Sequence, residues 1–422
     1  MVNHVIKKLN NGFVMAFVPH RGVKSVTLQL RGFAGSNFEK SNELGVAHLT
    51  EHMSLESPAK DDLLLRGAKI IGVTSRDDVL FMVKVLKKDF YAAVDYLYEV
   101  FTYRGFSNRL LESQKGVAEE EAKRFTNVPE KLIGRLSYRL MYPHQRISEF
   151  NTGSIEDIKK ISIDDILEFK NRLYTPENFG LTVSGDLRPH QVISRSLMKF
   201  GGLGYSGKKR TRIKIIKLNK NKGFKIQNVY NKFFNQSHIR IDYYGYLLSN
   251  PERFAGLVLA KLLDNYLKYE IKTKRGFAYN MVCESFSSYS YGVFGYYFAS
   301  DKKNIEDVLN IIFNIGAVFS KIASPENVLM AKNQILSEME FAYEKTSFRA
   351  EYYSNLALQG LYKQTFSYEL NNFEKVSFVD LYGVFKKIIG QKPKITILSD
   401  TQIDKRVRKI YEHCKQVSEL YD

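Results

Sequence analysis

The sequence predicts an α+β protein built as two successive halves of the same general kind. Three observations point there. At 422 residues the chain is too long for one hydrophobic core. Segments with strand and helix periodicity alternate along it in groups. The same order of strands and helices then recurs after a Gly-rich, Lys-rich stretch, which makes two halves of roughly 200 residues. The repeat is one of pattern, not of residue identity.

In the first half, 13–18 and 25–30 are β-branched or aromatic runs bounded by Gly and Pro, and are predicted strands. A helix is expected over 45–54 and a strand over 79–85. Phe90, Ala93, Val94, Leu97 and Val100 recur at helical spacing within 88–103. A long polar helix follows over 107–126. Another spans 162–173, with Ser162 or Asp164 as its cap, and 181–185 is a short buried strand. In the second half the strands are 237–243, 291–298 and 394–398. The helices are 251–272, 305–322 and 325–345. The expected division is a domain over 1–205, a basic linker over 206–221 and a second domain of the same fold over 222–422.

Composition narrows the class. Hydrophobic residues make up 44% and charged residues 26%, the balance of a globular protein. No apolar run is long enough for a transmembrane helix. The N-terminal segment lacks the apolar core of a secretory signal, so a cytoplasmic location is the expectation. The net charge of +18 raises nucleic acid as a partner, but the charge is spread. Its densest run, Lys208 to Lys217, adjoins Gly201, Gly202 and Gly204 and reads as a solvated linker. Neither nucleic acid nor a membrane is therefore expected as a partner. Cys283 and Cys414 form neither a disulfide framework nor a thiolate metal site.

The chemistry centres on Gly45 to Met53. On a helix, His48 and His52 are i and i+4, so both imidazoles leave one face and reach one zinc ion. Glu51 sits beside that pair, placed to take a proton from water and pass it to a leaving amine. With eight histidines in the chain, this His-x-x-Glu-His pattern arises by accident with a chance on the order of 1%. The plainer reading is a solvated helix carrying two histidines. A catalytic zinc needs a third protein ligand. Glu119, Glu120 and Glu121 offer one, and successive helical positions let only one of them face the metal.

Residues 29–54 resemble the insulinase/pitrilysin family of zinc metallopeptidases, particularly its short bacterial members and the mitochondrial processing peptidase subunits. Gly35, Ser36 and Glu39 match its Gly-Ser-x-x-Glu lead, and Gly45, Ala47 and His48 its Gly-x-Ala-His start. Further along, Val117 to Pro129 is similar to the helix that carries the third ligand. Tyr174, Pro176 and Asn178 resemble a Tyr-x-Pro-x-Asn signature, Gly185-Asp186 a Gly-Asp signature, and Lys274 to Tyr279 a substrate-binding segment.

The resemblance implies Glu121 as third ligand, Glu51 as general base, and Lys272 and Tyr279 as substrate-binding residues. It implies two α/β sandwich halves, each a mixed sheet with helices on one side, together forming half of a clam-shell that closes on an unfolded peptide. A homodimer, or a heterodimer with a related subunit, is the expected assembly. The implied activity is zinc-dependent endopeptidase cleavage. The alternative is a non-catalytic or partner-dependent subunit of a heterodimeric processing peptidase. There are departures from the family pattern. The segment 54–65 is short. Gln114 stands where the family has an accessory Glu, Ile71 where it has Asn, and Lys272 where it has an Arg, with Arg275 near enough to compensate. Lys lacks the bidentate fork of Arg.

Overall fold

The computed structural model describes residues 4–204, 206–207, 210–216, 223–232 and 234–419. They form two compact units. Unit 1 comprises Met1–Lys123, Phe150–Ile213 and Met339–Phe366; unit 2 comprises Arg124–Glu149, Lys214–Glu338 and Ser367–Asp422.

Unit 1 holds a mixed sheet of β1 (Val5–Lys8), β2 (Val14–Pro19), β3 (Ser25–Gly32), β4 (Lys69–Thr74), β5 (Val79–Leu86) and β6 (Phe179–Gly185), in the order β1-β2-β6-β3-β5-β4. Only the β2–β6 pair is parallel. Side chains alternate across a strand, so β3 sends Val26, Leu28 and Leu30 into the core and Thr27, Gln29 and Arg31 to the other face. The core face is covered by α1 (Val46–Leu55) and α3 (Phe90–Thr102), through Leu49, Met53, Phe90, Val94 and Leu97. Between them lies the short α2 (Lys60–Leu65). After α3 comes α4 (Asn108–Asn127), whose Leu111, Ala118 and Ala122 join the same core.

The opposite face of this sheet carries the helix Thr346–Gln359. Its hydroxyls meet the polar face: Thr27 and Thr346 share a 2.8 Å bond, and Ser354 donates to Gln29 at 3.1 Å. These pairings satisfy polar groups that would be costly to bury alone.

Unit 2 repeats the plan. Its strands are β7 (Lys225–Tyr230), β8 (Ser237–Tyr244), β9 (Ala278–Ser287), β10 (Gly292–Ser300) and β11 (Lys394–Ser399), in the order β7-β11-β8-β10-β9. Again one pair, β7–β11, is parallel. Without β1, the two sheets have the same topology. The helix Glu252–Leu267 covers one face. The other face is covered by α5 (Pro129–Met141), where Ser137 bonds to the buried Asp242 and Tyr244 donates to Met141 O at 2.8 Å.

Each sheet therefore has a helix on its second face as well, supplied from the distant half of the sequence. The compact units are accordingly discontinuous, unlike the contiguous division drawn at 206–221. Of that linker, 210–216 is without regular structure, and Thr211 bonds to Asn178. Lys208, Lys209 and 217–221 lie outside the described residues. The helix expected over 251–272 ends its α-form at Leu267 and continues as a π-turn, Lys268–Thr273. The one expected over 305–322 is two helices that meet at Asn314. Both cysteines are buried and free.

Candidate metal centre

The centre is built on α1, and both ends of that helix are held. Gly45 precedes it at φ +88°, a left-handed position, and a Cβ there would lie 2.6 Å from Thr152 O. Buried Glu39 accepts from the backbone N–H groups of Gly45 at 3.2 Å and Ala47 at 2.9 Å. Its charge thus sits at the positive end of the helix and pairs otherwise orphaned donors. At the far end, Tyr96 of α3 donates to Leu55 O at 2.8 Å.

His48 and His52 leave α1 on one face, with Nε2 atoms 3.2 Å apart. Glu121 arrives from α4, its Oε2 3.3 Å from His48 Nε2 and 3.8 Å from His52 Nε2. Four ligands about 2 Å from a tetrahedral zinc stand about 3.4 Å from one another, so the three edges suit that ion. Two imidazoles and one carboxylate, with the fourth position free, are the donor set of a catalytic rather than a structural zinc. Among the described residues, these three are the group of His, Cys, Asp and Glu able to hold a metal. Glu120 instead pairs with Lys123 at 2.6 Å on the exposed side of α4. Of the three acidic candidates, Glu121 is the one brought beside the two histidines.

Gln114, two turns before Glu121 on α4, places Oε1 3.2 Å from His52 Nδ1. An oxygen only accepts, so the Nδ1 proton points at Gln114 and the Nε2 lone pair at the centre. Burial, then the neighbouring His48, lowers the His52 pKa and favours the neutral, ligating form. His48 Nδ1 is buried without a partner among the described residues.

Glu51 is buried beside this set. Thr74 of β4 donates to its Oε2 at 2.8 Å. Burial pushes its carboxyl upward, against His48 and the Thr74 hydroxyl, which pull it down. β4 passes so close that a Cβ on Gly72 would come within 2.0 Å of Glu51 Oε1. Being the outermost strand, β4 pairs with β5 and exposes Ile71 and Val73. The sequence patterns found α1 but not β4. A glycine at 72 and a run of only six residues hid the strand, and Thr74 had no spacing that linked it to Glu51.

In unit 2, Lys272 lies in the π-turn with Nζ 5.5 Å from the Tyr279 ring. Tyr279 is 81% exposed, so it is not a core tyrosine. Arg275, expected to stand in for the missing Arg, is engaged by the Glu270 carboxylate and its carbonyl. Lys274 bonds the same carboxylate at 3.1 Å.

Comparison with known proteins adds a family. Residues 15–149 match the family model described as insulinase (peptidase family M16), and residues 160–335 match that described as peptidase M16 inactive domain. An uncharacterized zinc protease of Rickettsia bellii is 21% identical over 361 residues, covering 83% of this chain and 86% of that protein. The mitochondrial-processing peptidase subunit beta of Mus musculus is 23% identical over 351 residues, covering 78% and 71%. Among solved structures, a protease from Helicobacter pylori superposes with a TM-score of 0.86 at 17% identity, covering 94% of this chain and all of that one. The peptidase M16 inactive domain from Pseudomonas fluorescens gives 0.84 at 17%, covering 95% and 99%. At such identities these structures establish the fold. Among the described residues, no helix is long and apolar enough to cross a membrane.

Proposed function

The chain belongs to the insulinase family of peptidases, peptidase family M16, and on that premise we propose that it is a zinc-dependent endopeptidase of short or unfolded peptides. One observation carries the reading: His48, His52 and Glu121 converge with zinc-like spacing while Glu51 lies buried on the same helix. The "inactive domain" match covers 160–335, whereas the whole ligand set lies within 15–149.

In this reading His48, His52 and Glu121 hold the zinc. When bound, zinc supplies Lewis-acid polarisation of a carbonyl and lowers the pKa of water. Gln114 keeps the His52 tautomer fixed. Thr74 occupies one oxygen of Glu51, which leaves Oε1 to accept a proton from water and pass it to the leaving amine. The unpaired edge of β4 receives the peptide as an added strand, its backbone running past Glu51. Lys272 and Tyr279 bind substrate backbone or the developing oxyanion. The peptide is enclosed in a chamber completed by a second copy or a related subunit.

Incubation with quenched fluorescent peptides tests this. Cleavage that stops on chelation and returns with zinc is the expected result; cleavage unaffected by chelation contradicts it. A partner-dependent subunit is the second reading, favoured by Lys272 in place of an Arg and by the engagement of Arg275 with Glu270. It is supported if the chain binds zinc and cleaves only when mixed with a related subunit.

A further inference from the structure

Lys170, on the helix Ile163–Leu173, is wholly buried. Its Nζ donates to Val100 O at 2.8 Å and Tyr103 O at 2.9 Å, and lies 3.0 Å from Ser54 Oγ. The rings of Phe106 and Tyr174 flank it at 5.2 and 5.3 Å. These partners are two carbonyls, a hydroxyl and two ring faces, not a carboxylate. An amine is costly to bury, so its placement calls for an account of what it joins.

It joins α1, which carries two of the ligands, to the end of α3 and the connection that leads into α4. Ser54 is in the last turn of α1, two residues beyond His52 and three beyond Glu51. Val100 and Tyr103 close α3, and the carbonyls at a helix C-terminus attract positive charge. Phe106 lies in the connection from Tyr103 into α4, the helix of Gln114 and Glu121. One nitrogen thus ties the end of α1 to the start of the segment that delivers the third ligand.

We propose that Lys170 is a positioning residue that sets the distance between α1 and α4, and so holds Glu121 at ligating distance from His48 and His52. The proposal rests on the reading that these three residues hold zinc. It does not depend on the charge of Lys170. As an ammonium it donates to all three oxygens. As a neutral amine it donates to the two carbonyls and accepts from the Ser54 hydroxyl. Burial and the nearby Arg104 hold its pKa well below the ordinary lysine value, and the clamp persists in both forms.

The test is the zinc dissociation constant, by chelator competition, of the wild type, Lys170→Met and Leu381→Ala. Methionine fills the space without donors. Leu381 is buried in unit 2, and its truncation controls for lost stability alone. Lys170→Met is expected to weaken zinc binding about tenfold or more, the range for residues that support metal ligands. Leu381→Ala is expected to leave it within about twofold despite a lower melting temperature. If Lys170→Met does not fold, Ser54→Ala, which removes one arm of the clamp, is measured in its place with the same expected direction. Zinc held as tightly by the folded variant as by the wild type overturns the inference alone. A wild-type chain that takes no zinc overturns the peptidase reading and this inference together.

Discussion

The Nδ1 proton of His52 rests on a neutral amide, Gln114, where the family pattern has a carboxylate. A carboxylate would raise the basicity of the imidazole further, so in the proposed zinc site this choice moderates the hold on the metal. Gln114→Ala is predicted to weaken zinc binding by about tenfold, and Gln114→Glu to tighten it, both read by chelator competition. An unchanged constant in the alanine variant would mean that the tautomer is set elsewhere. The residues of the centre differ in how legible they were. His48, Glu51 and His52 are neighbours on one helix, so local periodicity reveals them. Glu121 lies 69 positions beyond His52 (121 − 52). Spacing alone left it level with Glu119 and Glu120; the approach of Glu121 on α4 to His48 and His52 on α1 is a tertiary outcome that no local pattern contains. Thr74 reaches Glu51 from another strand, and the pairing of β4 with β5 decides that contact.

At the scale of elements, helix ends were readable where a side chain caps its own helix. Ser162 accepts from the backbone of Asp165 while Asp165 accepts in return, a capping box visible three residues apart. Ser377 and Asp380 form the same box on the helix Phe378–Ile389, which is not among the helices expected from the sequence. Bonds from the Ser377 hydroxyl and backbone N–H hold the Asp380 carboxyl below its ordinary value of 3.8. A depressed carboxylate pKa stabilises the fold above the unfolded-state value, and that stabilisation is lost as the pH falls through the folded-state value. Ser377→Ala should therefore cost about 1 kcal/mol at pH 7, with the difference from wild type shrinking in acid below pH 3.8. Urea melts at neutral and acid pH check this, and a difference independent of pH would contradict it. Strands buried on both faces, such as β6 and β10, stood out as apolar runs. β7, which reads Lys-Ile-Gln-Asn-Val-Tyr, is half polar and did not. The helix Thr346–Gln359 was missed for a related reason. Its buried face mixes the hydroxyls of Thr346 and Ser354, which meet Thr27 and Gln29, with the small Ala350 and Ala357, so its apolar stripe is weak.

For the whole molecule, the repeat of strand order foretold two sheets of one topology, and the chain has them. The sequence did not reveal that each sheet draws the cover of its second face from the other half of the chain. Helix α5, at 129–141, packs on the unit 2 sheet, and Thr346–Gln359 packs on that of unit 1. Such an exchange is set by long-range packing and leaves no local signal. It predicts that fragments cut at 206–221 do not fold separately. The fragment 1–205 would leave Thr27, Gln29 and Arg31 uncovered, and 222–422 would leave Asp242 without Ser137. Cooperative unfolding is expected from the two fragments expressed together and from the intact chain; a cooperative transition from 1–205 alone would contradict the exchange. The central claim is that one zinc site, with Glu51 as its base, makes this chain a peptidase. Its most direct test is zinc content together with peptide cleavage for wild type and Glu51→Gln. The account predicts stoichiometric zinc in both proteins and a rate about 10²- to 10⁴-fold lower in the variant. Equal cleavage by both, or a wild-type chain that holds no zinc, would contradict it.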